Sequence, residues 1–434
     1  MAGSDDNALA TGRQHPRRKR QQSEPTGLGA SAAGRGPAAR VVRGYRGFHY
    51  SYPRWGLRPW FAMTLGVWVA LLLRHRFAIS PARLPTALLT TVLSGVSSLL
   101  GLIQSLLFAS RIRQTELAGD PVFIIGHWRS GTTFLHELLA LDERFVWPTA
   151  VECFAPAHFL VSQWLAPLVG RLAPDRRPMD WLRFGLDRPQ EDEWAIALLG
   201  LGSPYETIAF PDHRPVRPDF LSLDGVSPRA LQHWERGLYR FLQAVQLRAE
   251  RGSKHRRAGA GRPRCLLLKS PTHTARLRVL CDMFPQARFI HVVRNPAELF
   301  ASTVRLWTVL YDIYGFHKPH RGAPPGGGPS IEEYVLQTLP LLYRGFDEAK
   351  AAISPQRWHE VRFEELVQDP AGQVERIYRQ FGLGPFAAMR AKIGEFVDGF
   401  GSERSEYPLP PELLAKIAAR WAEYAQRYGY VRSA

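Results

Sequence analysis

The stretch GHWRSGTTF, residues 126–134, has the residue types and spacing of an anion-binding loop. It follows the apolar run 121–125 and precedes the helical pattern 135–141, so it predicts a strand, a glycine turn and a helix start. A helix N-terminus carries partial positive charge, and its free N–H groups bind phosphate-like anions. The N–H groups that we expect to point outward belong to Ser130, Gly131, Thr132 and Thr133.

The position of the cation separates this loop from the nucleotide-triphosphate loop. The pattern G-x-x-x-x-G-K-[ST] places a lysine directly after its second glycine, where it reaches the β- and γ-phosphates. This chain has Thr132 at that position, and its cation, Arg129, lies three residues earlier. An ordinary ATPase is therefore disfavoured, and a nucleotide kinase with a divergent loop stays as an alternative.

A second candidate phosphate-binding segment is RFIHVVRNPAELFAS, residues 288–302. It predicts a buried strand that ends at Arg294, followed by an Asn295 N-cap and Pro296 at the first helical position. A guanidinium can fork onto two phosphate oxygens, and Ser302, eight residues after Arg294, supplies a hydroxyl donor. One arginine at a strand end is usually structural, so the argument depends on finding both segments in this order.

Together the two segments resemble the bacterial branch of the sulfotransferases that use 3′-phosphoadenosine-5′-phosphosulfate (PAPS). The resemblance runs from about Pro121 to Tyr430. It implies a P-loop-like sulfotransferase fold, PAPS as co-substrate and no metal ion. It assigns the 5′-phosphosulfate to Arg129, Ser130, Gly131, Thr132 and Thr133, and the 3′-phosphate to Arg294 and Ser302.

The segment LLLKSPTH, residues 266–273, predicts a further strand that ends near Lys269 and His273. The family often carries a lysine and a histidine at this edge, near the sulfuryl group, so the resemblance implies catalytic roles for both beside Arg129. The alternatives are a lysine that extends from the sheet edge into solvent and a histidine that caps the helix beginning near Thr274.

Sulfuryl transfer also needs a base that removes the acceptor proton, with a pKa tuned towards neutrality. The first candidate is Glu152 in WPTAVECFAP, which follows the glycine loop at about the distance where some bacterial relatives place a catalytic glutamate. Its aromatic and apolar neighbours should desolvate it and raise its pKa. His273 is the second candidate. The others are Glu191, Asp192 and Glu193, while at least one of His136 and Glu137 should be solvated or packed.

Beyond the glycine loop, where Arg129 replaces the lysine of the cytosolic members and Phe134 a frequent tryptophan, two later positions depart from the family pattern. VRFEELVQDP, residues 361–370, has Phe363 where the family usually has a tyrosine, so any hydrogen bond from that phenol is absent. SEYPL, residues 405–409, has Ser405 in place of a histidine. Arg404 could substitute in a late phosphate contact, although an exposed arginine is the simpler interpretation.

Net charge is concentrated in two segments of this 434-residue chain. Residues 1–46 contribute +6 and residues 251–264 another six, so they supply 12 of the net +17. Both lack apolar periodicity, and we predict a disordered basic tail at 1–46 and flexible insertions at 249–264 and 317–329. No nucleic-acid-binding pattern accompanies the charge, so a dedicated nucleic-acid role is not expected.

Residues 47–115 predict a hydrophobic helical leader. Its first apolar run, residues 60–73, is too short to span ~30 Å of hydrocarbon as a helix. Residues 84–110 carry no charge and are long enough, but serines, threonines and a glutamine interrupt leucines at helical spacing. The pattern favours a helix in a membrane interface, or one packed on its own domain, over a spanning helix.

The three cysteines form no C-x-x-C pair, so neither a disulfide framework nor a thiolate metal site is supported. This usage fits a reducing compartment, and PAPS is made in the cytosol. We therefore expect a cytoplasmic protein, at the cytoplasmic face of a membrane if the leader binds lipid.

Residues 116–434 predict an α/β sulfotransferase domain. Strands at 121–126, 264–270, 288–294 and 357–366 alternate with helices at 131–141, 274–284, 296–308, 371–382 and 411–428. Such alternation implies a mostly parallel sheet flanked by helices, with ligands at the carboxyl ends of the strands. Residues 150–245 should cap that edge and form the acceptor pocket.

These features predict a sulfotransferase that moves a sulfuryl group from PAPS to a hydroxyl or amine by in-line displacement. Arg129 and Lys269 would stabilise the negative charge on the leaving oxygen. The acceptor stays open among hydrophobic small molecules, lipids and glycans. The alternatives are the divergent kinase and a catalytically silent, membrane-associated nucleotide-binding protein.

Overall fold

The computed structural model describes residues 52, 56–174, 176–177, 184–211, 218–252, 265–317, 330–399 and 408–430. Its strands are β1 (Val122–Ile125), β2 (Phe145–Val146), β3 (Cys265–Lys269), β4 (Arg288–Val293) and β5 (Trp358–Arg362). Its first helices are α1 (Leu65–Arg74), α2 (Leu84–Gln114), α3 (Thr132–Leu139), α4 (Ala150–Phe154), α5 (Phe159–Ser162), α6 (Ala166–Gly170), α7 (Asp192–Leu198), α8 (Pro228–Gly252) and α9 (Leu277–Met283). The later helices are α10 (Pro296–Tyr314), α11 (Ile331–Leu342), α12 (Phe346–Ala351), α13 (Phe363–Gln368), α14 (Pro370–Phe381), α15 (Ala387–Gly399), α16 (Pro411–Arg420) and α17 (Ala422–Arg427).

The five strands form one parallel sheet in the order β2-β3-β1-β4-β5. Central β1 pairs with β3 on one side and β4 on the other, so Phe123 lies beside Leu268 and Phe289. The carboxyl ends of these three strands therefore meet at one edge of the sheet. The predicted α/β class with a parallel sheet flanked by helices is confirmed.

Side chains of β1 alternate between two hydrophobic clusters. Phe123 and Ile125 enter the larger cluster, which includes residues of α8 and α10. Val122 and Ile124 enter the other, which includes residues of α3, α14 and α15. Because successive strand residues point to opposite faces, helices must cover both sides of the sheet.

Most element predictions agree with the structure, but one predicted strand is too long and one strand was not predicted. β1, β3 and β4 match their predicted ranges to within one residue at each end. The strand predicted at 357–366 ends at Arg362, and residues 363–366 belong to α13. The apolar residues of this segment, Phe363 and Leu366, also fit helical spacing, which the strand prediction overlooked. β2 has only two residues and leaves no periodic signal.

The apolar leader shares its core with the sheet-bearing part of the chain. Trp60 and Trp68 are fully buried. The Trp60 ring lies 5.8 Å from that of Trp194, and the Trp68 ring lies 4.8 Å from that of Phe316. The leader predicted at 47–115 therefore packs on the domain predicted at 116–434.

Parts of the predicted organisation fall beyond the described residues. The tail predicted at 1–46 lies outside them. Of the insertion predicted at 249–264, the first four residues are helical because α8 continues to Gly252, and the remainder lies outside the described ranges. Residues 318–329 also lie outside.

Candidate active site

The loop between β1 and α3 turns through residues with positive φ. The φ angle is 140° at Gly126, 69° at Arg129 and 104° at Gly131. A non-glycine residue with positive φ is strained, and such strain concentrates at functional sites. No side chain caps α3, which begins at Thr132, so its first-turn N–H groups can bind a ligand. This is the geometry of an anion-binding loop.

Both glycines of the loop are closely packed. A Cβ at Gly131 would lie 2.2 Å from Cδ2 of Phe363, and one at Gly126 would lie 2.4 Å from the Val292 carbonyl oxygen. Both positions therefore require glycine for space as well as for backbone conformation. The sequence drew attention to Phe363 only through its missing phenol, whereas its ring supports the loop from the start of α13.

Ser130 lies on the floor of the loop. Its N–H donates to the His127 carbonyl at 3.1 Å, so this N–H does not point outward as the sequence predicted. Its side chain is fully buried, and within the described residues its Oγ has no hydrogen-bond partner. A buried hydroxyl without a partner is costly unless a ligand or water satisfies it.

Arg129 reaches from the loop to α10. Its Nε donates to Ser302 Oγ at 2.9 Å. The adjacent Thr303 Oγ1 donates to the Trp128 carbonyl at 3.2 Å and holds the loop on α10. The fold thus joins two residues that the family resemblance assigns to opposite ends of PAPS.

Arg294, directly after β4, is held on three sides. Its Nη1 donates to the Arg129 carbonyl at 2.9 Å, and its Nη2 lies 2.8 Å from a carboxylate oxygen of Glu298. Its guanidinium carbon lies 4.3 Å from the centre of the Phe363 ring, a cation–π distance. The side chain is therefore oriented beside the loop before any ligand binds.

Lys269 connects the loop to the helical cap over the strand ends. Its Nζ lies 3.3 Å from Thr133 Oγ1 and 2.7 Å from Glu191 Oε1. The side chain is almost fully buried, so it does not extend into solvent. Burial lowers the pKa of Lys269, and the negative charge of Glu191 opposes that shift.

Three consecutive carboxylates at the start of α7 each pair with a different basic side chain at the β3 edge. The pairs are Glu191–Lys269, Asp192–His273 and Glu193–Arg276. Successive helical residues point about 100° apart, so neighbours in sequence reach separate partners. Asp192 and Glu193 are fully enclosed, while 15% of the Glu191 side chain stays exposed. Only Glu191 shares its cation with Thr133 of the loop.

His273 packs inside the fold. Its Nε2 lies 2.6 Å from Asp192 Oδ2, and its ring meets Phe123 edge-on at 5.5 Å. Burial alone would raise the pKa of Asp192, but His273 and Ser270 hold it below its ordinary value. His273 does not cap α9, because that helix begins at Leu277 with Arg276 at the N-cap position.

Glu152 is buried as predicted, but its surroundings differ from the prediction. Arg248 of α8 donates to both of its carboxylate oxygens, at 2.8 and 2.9 Å. Glu152 also forms a capping box with Thr149 at the start of α4. The expected desolvated carboxylate among apolar neighbours is thus a fully paired group that ties α4 to α8. Its partner lies 96 residues away in sequence, so no local pattern indicates it.

The two α3 residues considered in the sequence analysis, His136 and Glu137, are both packed. His136 is buried, and burial together with the charge of Lys269 lowers its pKa to about 3. Glu137 pairs with Arg188 at 2.9 Å. Burial raises the pKa of Glu137, against the effect of Arg188.

Sequence reasoning missed Tyr205. Its hydroxyl donates to Glu191 Oε2, and Trp128 Nε1 donates to that hydroxyl at 2.8 Å. Tyr205 belongs to no recognisable motif, so only the fold brings it to the site. The positions considered for a late phosphate contact, Arg404 and Ser405, lie outside the described residues.

The central strand of the parallel sheet runs through a glycine loop into an uncapped helix, and basic residues lie at the neighbouring strand ends. These features define a P-loop-like fold. Residues 121–387 match the sulfotransferase family, and the chain belongs to that family.

The relatives include omega-hydroxy-beta-dihydromenaquinone-9 sulfotransferase Stf3 of Mycobacterium bovis and its counterpart in Mycobacterium tuberculosis. Each is 40% identical to this chain over 379 residues, which cover 87% of this chain and 92% of the relative.

Solved structures with a similar fold include two mycobacterial sulfotransferases. Sulfotransferase STF1 from Mycobacterium tuberculosis has a TM-score of 0.53 at 18% identity, covering 83% of this chain and 91% of that one. Sulfotransferase STF9 from Mycobacterium avium has a TM-score of 0.56 at 16% identity, covering 84% and 96%. At these identities the likeness concerns the fold alone.

Proposed function

We propose that this protein moves a sulfuryl group from PAPS to the hydroxyl of a lipophilic, menaquinone-like acceptor. The observation that carries the proposal is the contact chain from Thr133 through Lys269 to Glu191. The ammonium of Lys269 and the carboxylate of Glu191 therefore lie next to the anion-binding loop. An in-line group transfer requires such positioned charges beside the transferred group. Membership of the sulfotransferase family supports this reaction class and disfavours the divergent kinase.

PAPS fits the residues present. The buried Ser130 hydroxyl and the uncapped first turn of α3 offer unused donors for its 5′-phosphosulfate. The oriented guanidinium of Arg294 and the Ser302 hydroxyl offer a fork and a donor for its 3′-phosphate. We assign the 5′-end to Arg129, Ser130, Gly131, Thr132 and Thr133, and the 3′-phosphate to Arg294 and Ser302.

Bound PAPS would supply the sulfuryl group and a leaving phosphate oxygen that gains negative charge. Arg129 and Lys269 hold positive charge at the loop to stabilise it. Because burial favours neutral Lys269, its pairing with Glu191 helps to keep the ammonium charged. The proposed scheme includes no metal ion.

We assign the base to Glu191 rather than to Glu152 or His273. Arg248 and Thr149 occupy both oxygens of Glu152, and His273 lies fully buried between Asp192 and Phe123. Glu191 is hydrogen-bonded too, but its partners, Lys269 and Tyr205, belong to the site itself. Its partial exposure allows an acceptor hydroxyl to reach the carboxylate.

The acceptor class follows from the relative. The substrate in the name of Stf3 carries a hydroxyl on an apolar quinone lipid, and the identity of 40% supports an acceptor of the same kind. Aromatic rings surround the site, with Trp194 packed on Tyr205 at 5.1 Å and Trp128 on Trp307 at 5.5 Å. Such a lipid resides in a membrane and PAPS is cytosolic, so we propose that the protein works at the cytoplasmic face.

The proposal is tested with radiolabelled PAPS and ω-hydroxylated menaquinone in detergent micelles. We expect label in the lipid, and none with menaquinone that lacks the hydroxyl. Adenosine 3′,5′-bisphosphate at a hundred times its Kd should add ~2.7 kcal/mol of stability. Stabilisation by ATP with magnesium instead would indicate a kinase, and no response to either nucleotide would indicate a silent protein.

Arg294→Ala should weaken adenosine 3′,5′-bisphosphate binding by ~2–4 kcal/mol, because the 3′-phosphate loses its charged partner. Binding of adenosine 5′-phosphate should change much less. Calorimetry with both nucleotides measures the difference. Glu298→Gln is the matched control, since it removes the ion-pair partner of Arg294 but keeps the guanidinium. Equal losses for the two nucleotides would show that Arg294 does not contact the 3′-phosphate.

A further inference from the structure

Helix α2 has its polar residues inside and its leucines outside. Its buried stripe consists mainly of small or polar side chains: Ala87, Thr90, Ser94, Ser97, Gln104 and Phe108. Its opposite face is apolar and exposed, with Leu88 at 67%, Val92 at 66%, Leu99 at 60% and Leu106 at 78%. A helix on the surface of a water-soluble protein has the reverse arrangement.

The polar side chains of α2 bind the rest of the protein. The Leu160 N–H donates to Gln104 Oε1 at 2.8 Å, and the Leu65 N–H donates to Ser98 Oγ at 2.8 Å. Trp68 Nε1 donates to Thr91 Oγ1 at 2.9 Å. Most of the polar interruptions of this apolar run therefore contact the domain, which explains how the outward face can be largely apolar, with Ser105 as an exposed exception.

Neighbouring helices extend the apolar surface. α1 packs on α2 through the Trp68–Thr91 bond and exposes Leu73 at 60%. The segment 159–170 packs on α2 through the Leu160–Gln104 bond and exposes Trp164 at 73%. An exposed apolar patch of this extent marks an interaction surface.

The charges at the ends of this surface complement an anionic membrane. Between residues 56 and 115 the chain has no Asp or Glu. Exposed arginines stand at both ends of the helix, with Arg76 before α2 and Arg111 and Arg113 in its last turn. Arg74 and Arg83 also precede α2, but they pair with Glu206 and Asp312 of the domain. Basic side chains beside an apolar face suit phosphate head groups. Pairing with a second copy would bring arginines against arginines, because both ends of α2 are basic.

The packing of α2 also decides its orientation. Its buried stripe runs from Ala87 to Phe108, and at its far end Gln243 of α8 donates to the Arg113 carbonyl at 3.3 Å. The helix is long and apolar enough to cross a bilayer by length and composition. However, it lies along the domain, so it could cross only if the domain entered the hydrocarbon.

We propose that α1, α2 and residues 159–170 form a membrane-docking surface that enters one leaflet of an anionic bilayer, with α2 parallel to the membrane plane. Such helices bury their apolar face at the boundary of head groups and acyl chains. The proposal depends on this surface alone and would stand if the proposed sulfuryl transfer failed.

The test is flotation of the full-length protein with phosphatidylcholine vesicles that contain or lack phosphatidylglycerol. We expect binding that is stronger with the anionic lipid and is released by detergent but not by salt alone. The triple variant Val92→Gln, Leu99→Gln, Leu106→Gln should bind at least about tenfold more weakly, because these residues share one outward face. The matched control is Tyr239→Gln, Val397→Gln, Leu414→Gln, which alters exposed apolar residues elsewhere and should bind like wild type.

Circular dichroism and thermal unfolding establish that both triple variants fold. The proposal is overturned if wild type does not float with vesicles, or if the α2 variant floats equally well. Resistance of bound protein to alkaline extraction would indicate a spanning helix and would also overturn it. The proposal is also overturned if sedimentation shows that wild type is a dimer and the α2 variant a monomer, since the exposed face of α2 would then join two copies.

Discussion

Replacement of Arg129 by alanine should lower turnover by about 10²-fold or more while acceptor binding changes little. The guanidinium matters most when the leaving oxygen becomes negative, so its loss raises the barrier more than it weakens the ground-state complex. The measurement is kcat and KM for the acceptor at saturating PAPS. A rise in acceptor KM with unchanged kcat would contradict the assignment.

Because Arg129 has a positive φ, a second variant is needed to separate the loss of charge from a change in backbone conformation. Its φ of 69° is strained for alanine, so Arg129→Ala could lose activity through the loop conformation. Asparagine tolerates this region better than other non-glycine residues. Arg129→Asn should therefore lose as much turnover as Arg129→Ala, because it also lacks the charge. Recovery of activity in Arg129→Asn would assign the defect to the backbone.

Glu191→Gln should lower turnover by roughly 10²- to 10⁴-fold and abolish its rise with pH. A carboxylate base accepts a proton only in its ionised form, so a rise of turnover with pH that depends on this base should disappear in the variant. Glutamine keeps the shape but accepts no proton. Rates across a pH series with a hydroxyl acceptor, beside calorimetric binding of adenosine 3′,5′-bisphosphate, separate lost chemistry from lost donor binding.

Glu152→Gln is the matched control for that experiment. It makes the same chemical change at a carboxylate that caps α4 and pairs with Arg248, so stability should fall while the pH profile keeps its shape. His273→Ala completes the set. If the pH profile of turnover is flat in Glu152→Gln or in His273→Ala but normal in Glu191→Gln, the residue replaced in the flat variant is the base.

The sequence predicted the elements that bind phosphate because their signals are local. Arg294, Asn295 and Pro296 lie within three consecutive positions, and the structure has a strand end, an N-cap and a helix start there. The glycine loop likewise needs only the order of residues between one strand and one helix. The order of strands and helices along the chain also predicted the parallel sheet, because regular alternation of the two is typical of parallel sheets flanked by helices.

The sequence predicted less about the carboxylates. Glu152 and Glu191 both precede or follow aromatic residues and both lie in the region expected to cap the strand ends. Arg248 and Lys269 decide between them, and each lies more than 75 residues from the glutamate it binds. Composition around a glutamate cannot reveal which cation the fold brings to it.

The sequence by itself determined the family, the parallel sheet and the residues at the strand ends, because these depend on short-range order and on periodicity. Tertiary structure decided which carboxylate shares a cation with the loop and which side of α2 faces outward. Helical spacing alone shows that α2 has an apolar side, but the Gln104 and Ser98 contacts turn its polar side towards the protein. Buried polar groups must find partners, so the fold orients the helix by its few hydrogen bonds and leaves the leucines exposed.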